Sequence, residues 1–137
     1  MIKAVLDTNI LVSAHLQGQG LPARVLRLAF STSITIYVSA PILAEYELVF
    51  RRPRFALDPK LVDRSLARIN EVAILVKPRK ALSISPDEPD NRFLECAEEA
   101  GADYLVTNKR HFPGRWKTTT VVTAREFVEF LGPDLKV

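Results

Sequence analysis

The sequence predicts one α/β domain built around a mostly parallel sheet, and three observations lead there. Short apolar runs of strand length alternate with segments of helical apolar spacing. No stretch of the 137 residues reads as a linker, an internal repeat or a low-complexity segment. A chain of this length also buries a real core without covalent staples.

The elements follow in order. Residues 2–6 form an apolar run between polar neighbours, which predicts a buried strand. The run ends in Asp7-Thr8-Asn9, with Thr8 or Asn9 as candidate cap of a helix from Ile10 that fades at residues 17–20. Pro22 opens a second helix, with Val25, Leu26, Leu28 and Ala29 inside. Residues 34–38 are β-rich and predict a second strand. Ser39 then caps a third helix, in which Ile42, Leu43, Tyr46, Val49 and Phe50 share one face. Glu45 and Glu47 flank that stripe on opposite sides, and Pro53 marks the helix's end.

Asp58-Pro59 starts a fourth helix, which leads into a short strand within residues 73–76. Residues 85–90 make an acidic loop with two prolines. The next helix has Asp90 as expected N-cap, Phe93, Leu94 and Ala97 on one side, and Gly101 as its stop. Residues 102–107 are the clearest later strand. Residues 120–122 suggest a final edge strand, and Thr123 with Glu126 resembles a capping box for a last helix.

Composition removes several function classes. One cysteine, Cys96, excludes an internal disulfide framework and fits a reducing cytosol. His15 and His111 with that cysteine are too few for the usual tetrahedral zinc site. No segment approaches the roughly 20 apolar residues of a membrane span, and the N-terminal run lacks a signal peptide's basic leader, so a cytoplasmic location is expected. The net charge of +3 does not by itself indicate nucleic acid. Its distribution says more: Arg51-Arg52-Pro53-Arg54, residues 77–80 and Lys109-Arg110-His111 are basic, while acids crowd between Asp87 and Glu99. Each basic cluster alone is an ordinary solvated surface; three beside an acidic site suggest a polyanion.

Asp7 after the first strand, Asp90 at a helix start and Asn108 after a later strand all fall at the carboxyl edge of the sheet, where open α/β folds bind ligands. Glu45 can lean in from the third helix. Clustered carboxylates repel unless a cation or protons compensate. Oxygen ligands with few histidines select Mg²⁺ or Mn²⁺, and such ions support phosphodiester hydrolysis. Each acid also has a plainer explanation. Asp7 and Asp90 serve as caps, Glu45 as a boundary residue and Asp87 as a turn former. Periodicity does not separate Glu45 from Glu47.

The residues Val5-Leu6-Asp7-Thr8-Asn9-Ile10-Leu11-Val12-Ser13-Ala14, then residues 39–45, 87–97 and 101–107, resemble the PIN domain, specifically toxins of toxin–antitoxin systems related to VapC-like ribonucleases. The resemblance spans nearly the whole chain. It implies a three-layer α/β/α sandwich and a metal-dependent endoribonuclease in which Asp7, Glu45 and Asp90 hold Mg²⁺ or Mn²⁺. It favours Glu45 over Glu47, with Thr8, Asn9, Asp87 and Thr107 in supporting roles. The family often carries a fourth aspartate after the Leu-Val-Thr strand. Here Asn108 stands in its place, followed by Lys109, so a fourth donor is neutral. Arg51, Arg52, Lys109 and Arg110 are expected to contact RNA. A cognate antitoxin and a homodimer are the implied partners. The Asn108 departure also leaves room for another class, a catalytically weak binding module on the same fold. A phospho-accepting signalling domain, built on Asp7, Thr107 and Lys109, leaves Glu45 and Asp90 without a role.

Overall fold

A computed structural model describes residues 1–108 and 112–132. The elements run β1 (Lys3–Leu6), α1 (Thr8–Leu16), α2 (Leu21–Phe30), β2 (Thr35–Val38), α3 (Ala40–Phe50), α4 (Pro59–Val72), β3 (Ile74–Leu75), α5 (Glu88–Ala100), β4 (Tyr104–Val106), β5 (Arg115–Trp116), β6 (Thr119–Val122) and α6 (Ala124–Leu131). The sheet order is β3-β2-β1-β4-β6-β5. All pairings are parallel except β5 with β6.

β1 explains the layering. Ala4, Val5 and Leu6 are each at most 1% exposed, although successive strand residues point to opposite faces. Both faces of β1 are therefore covered, the condition that parallel sheets meet with helices on each side. α5 packs across β1, β2 and β4, while α6 lies on β4 and β6 and meets α2, which packs against α1 and α4. Burying each Leu or Val contributes about 1.5–3 kcal/mol, so this central strand anchors the core. Its N-terminal end is pinned as well: Asp103 Oδ2 accepts from the Lys3 backbone N–H at 2.9 Å, and Asp103 N–H donates to Lys3 O at 2.9 Å.

Several expected caps hold. Ser39 Oγ accepts from Ile42 N–H at 3.4 Å, and Asp58, expected only to start α4, also caps it, its Oδ1 accepting from Lys60 N–H at 3.0 Å. Thr123 and Glu126 form the reciprocal capping box, and Gly101 ends α5 in the left-handed region.

Four expectations need correction. α1 begins at Thr8 with Asp7 in the N-cap position, so neither Thr8 nor Asn9 caps it. The N-cap of α5 is Asp87, which places Asp90 inside the first turn. α3 ends at Phe50, and Pro53 instead opens a 3₁₀ turn, Pro53–Phe55. The strand expected at residues 120–122 is not an edge. The two-residue β5 pairs outside it, and a two-residue strand gives no periodic signal.

Candidate active site

The strand order places Asp7 at a branch in the sheet. β1 has β2 on one side and β4 on the other, and a crevice opens at the carboxyl end of such a switch point. Asp7 follows β1 directly, and its backbone N–H donates to Val106 O at 2.9 Å, at the end of β4. Although Asp7 occupies the N-cap position of α1, its side chain makes no capping hydrogen bond. Its Oδ2 instead accepts from Thr107 Oγ1 at 2.7 Å, and both side chains are buried. The simple capping role is thus set aside for this carboxylate.

Glu45 reaches the same region from α3, where Thr8 Oγ1 donates to its Oε2 at 2.5 Å. Glu47 points elsewhere and pairs in the open with Arg51. The two glutamates that periodicity left equivalent thus differ in surroundings, Glu45 beside Thr8 and Glu47 beside Arg51. Next to Glu45, the buried Tyr46 hydroxyl donates to Leu6 O at 2.5 Å. Burial pushes the Tyr46 phenol well above its ordinary pKa, and the charges of Cys96, Asp7 and Glu45 add to that.

Asp90 is fully buried in the first turn of α5, where the aligned N–H groups favour an anion. Ser85 Oγ lies 3.4 Å from its Oδ2. The preceding strap is fastened by Asn91, a residue the sequence reading did not single out. Asn91 Oδ1 accepts from Ile84 N–H at 2.9 Å and Ser85 N–H at 2.8 Å, and Nδ2 donates to Ser85 O at 3.2 Å and Glu88 Oε2 at 3.0 Å. That uses the full donor and acceptor capacity of an amide. The only hint in the sequence was a polar residue three positions before the core residue Leu94.

A groove of about 510 Å³ runs beside these groups. Thr8, Asn9, Glu45 and Asp87 supply its polar wall, Val12 and Val49 part of its apolar surface, and Arg52, Arg54 and Phe55 line it too. Asn9 Oδ1 is buried and has no hydrogen-bond partner among the described residues. Arg51 does not line this groove; it pairs with Glu47 at 3.3 Å and Asp63 at 2.7 Å. Arg54, outside the predicted set, lines the groove instead. Asn108 is exposed just after Thr107. Lys109 and Arg110 lie outside the described residues. A second cavity of about 560 Å³ is ringed by Arg79, Lys80, Glu98, Glu99 and Lys117, whose charges pair with one another.

Among the described residues, no three His, Cys, Asp or Glu side chains stand as a ready-made metal-ligand group. The donors fit a hard divalent cation in kind, because carboxylates, hydroxyls and an unsatisfied amide oxygen occur together without histidine. Among the described residues no helix is long and apolar enough to cross a membrane.

A PIN domain family profile matches residues 3–111. The uncharacterized protein MJ1680 of Methanocaldococcus jannaschii is 29% identical over 111 residues, 79% of this chain and 72% of the relative. The crystal structure of VapBC2 from Rickettsia felis, bound to a DNA fragment from their promoter, matches with a TM-score of 0.56 and 18% identity, covering 89% of this chain and 98% of that one. At that identity the likeness speaks for the fold.

Proposed function

The chain belongs to the PIN domain family, and on that premise we propose that it is a divalent-metal-dependent endoribonuclease, the toxin of a toxin–antitoxin pair. The observation that carries this reading is the treatment of Asp7. Its carboxylate sits at the switch point of the sheet, is withheld from capping α1, and is oriented by Thr107. Asp7, Glu45 and Asp90 are the residues that would hold Mg²⁺ or Mn²⁺, and Asn108 would add at most a neutral donor. Such an ion polarises phosphorus-bound oxygen and makes a bound water nucleophilic near neutral pH.

The chain's own groups do the positioning. Thr107 and Thr8 each fix one carboxylate oxygen, so Asp7 and Glu45 keep their orientation without substrate. Ser85 and Asn91 hold the strap over Asp90. Arg52, with Lys109 and Arg110 beyond the described residues, is suited to the RNA backbone, which sets register without reading sequence. An antitoxin, a homodimer and a cytoplasmic location accompany this reading. The fold likeness to VapBC2 supports the antitoxin part.

Asn108, neutral where the family often carries a fourth aspartate, supports a second reading, a weakly catalytic binding module. Two measurements separate them. Labelled RNA is incubated with Mg²⁺, with EDTA, and with the Asp7→Asn protein; the nuclease reading expects cleavage only in the first. Calorimetric titration with Mn²⁺ should give binding that Asp90→Asn abolishes. Cleavage that survives chelation, or RNA binding without Mn²⁺ binding, would overturn the nuclease reading.

A further inference from the structure

The basic run at the end of α3 divides in two. Arg51 is held by Glu47 and Asp63, whereas Arg52 and Arg54 line the groove and have no acidic partner among the described residues. The 3₁₀ turn Pro53–Phe55 makes this division possible. Phe55 N–H donates to Arg52 O at 3.1 Å, Ala56 N–H donates to Pro53 O at 3.0 Å, and Ala56 closes the turn in the left-handed region at φ 50°. A tight turn of this kind leaves little freedom in where Arg54 and Phe55 stand. Arg54 Cζ lies 4.9 Å from the centroid of the Phe55 ring, so the guanidinium rests over the aromatic ring.

The same groove is lined by Thr8, Asn9 and Glu45 and by Val12 and Val49. Its volume, about 510 Å³, falls in the range of about 300–1,000 Å³ typical of small-ligand sites. An arginine supported by an aromatic ring offers a flat cationic surface, which unstacked nucleobases use as a platform. Arg52, exposed in the same groove, offers a charge to phosphate. A paired base could not use this surface, since its faces are already stacked.

We infer that the Arg54–Phe55 pair is a nucleobase platform, which binds one unpaired nucleotide beside the scissile phosphate and thereby sets where the chain is cut. The inference rests on the nuclease reading for the word "scissile", but not for the binding. The platform belongs to the turn, and the metal-holding acids belong to the sheet edge.

The test uses the full chain carrying Asp7→Asn, so that RNA is bound without being cut. A fluorescein-labelled single-stranded RNA is titrated by anisotropy, intact and with one abasic nucleotide walked along it. Phe55→Ala and Arg54→Ala should each weaken binding roughly 5- to 160-fold, the range expected for loss of one stacked base. Phe55→Tyr should restore binding. Arg54→Lys, which keeps charge but not the plane, should not. One abasic position should weaken binding to the Phe55 protein and cost nothing more in Phe55→Ala. Thermal melts confirm that each variant folds, and exposed Arg54 supplies an independent variant if Phe55→Ala does not. With Asp7 present, Phe55→Ala should raise KM more than it lowers kcat.

The two readings fail separately. Wild-type cleavage with no abasic effect and no loss in Phe55→Ala or Arg54→Ala overturns the platform and leaves the groove as a surface for a protein partner. Base-dependent binding without metal-dependent cleavage upholds the platform and removes the nuclease reading.

Discussion

Thr107 Oγ1 donates to Asp7 Oδ2 at 2.7 Å, joining two buried residues a hundred positions apart in the chain. The contact follows from strand order, since β1 and β4 are parallel neighbours and both residues lie just past their ends. Replacing Thr107 by Val keeps the shape and removes the donor. A hydrogen bond to a charged group contributes about 1.5–3 kcal/mol, so Thr107→Val should lower stability by that order. The urea midpoint should fall with an unchanged slope, and cleavage should suffer most at low metal concentration. Thr107→Ser should preserve both. If Val and Ser behave alike, the bond does not orient Asp7.

Asp7→Asn should separate stability from metal response. The amide oxygen of this isostere can still accept from Thr107, so the metal-free variant should fold with a stability close to that of the wild-type chain. Saturating Mn²⁺ at about 100 times its Kd would stabilise the wild-type chain by about 2.7 kcal/mol. The variant should show no such gain. Differential scanning calorimetry with and without Mn²⁺ reads this directly. An equal metal-induced rise in both proteins would remove Asp7 from the ligand set.

What the sequence made legible was the periodic part of the molecule. β1, β2, β4 and the six helices announce themselves because their apolar residues repeat at the spacing that burial requires. The caps at Ser39 and Thr123 were readable because their hydrogen bonds are local. Two kinds of feature were not. β5 is two residues long, too short for any period, and only its pairing with β6 defines it. Asn91, Arg54 and the Thr8–Glu45 contact depend on distant segments meeting, which no local pattern encodes. The grouping of Asp7, Glu45 and Asp90 as a candidate site came from family resemblance. The residues alone left Glu45 and Glu47 equivalent, and only the third dimension pairs Glu47 with Arg51.

Asn91→Ala should loosen the strap that carries Ser85 and Asp87. It removes four hydrogen bonds at a fully buried position and strands the Ile84 and Ser85 amides. The expected cost is about 2–3 kcal/mol. Hydrogen exchange at Ile84 and Ser85 should quicken more than at the β1 amides, and Mn²⁺ affinity should fall with it. Asn91→Asp should resemble Ala, because the carboxylate loses both donors and faces Glu88. Uniform quickening across the chain would mean that the amide serves global stability alone.

The alkaline limb of the stability profile should carry the signature of two buried acids. Cys96 is fully buried, and burial pushes its thiol from 9.0 to about 12. Tyr46 is pushed well above 10.0 in the same direction, chiefly by burial. In the unfolded chain the thiol loses its proton near pH 9, while the folded chain keeps it to about 12. Between those values the unfolded state binds fewer protons, so stability falls as pH rises; below about 9 the thiol makes no difference to the slope. Urea midpoints measured from pH 7 to 11 should therefore be flat with respect to this group and then decline. In Cys96→Ala the absolute stability drops because a cavity opens, but the decline above pH 9 should be shallower, and the part due to Tyr46 should remain above about pH 10. A thiol reagent at pH 8 should leave native Cys96 unlabelled and react on denaturation. Identical alkaline slopes in the two proteins would show that Cys96 does not hold its proton in the fold.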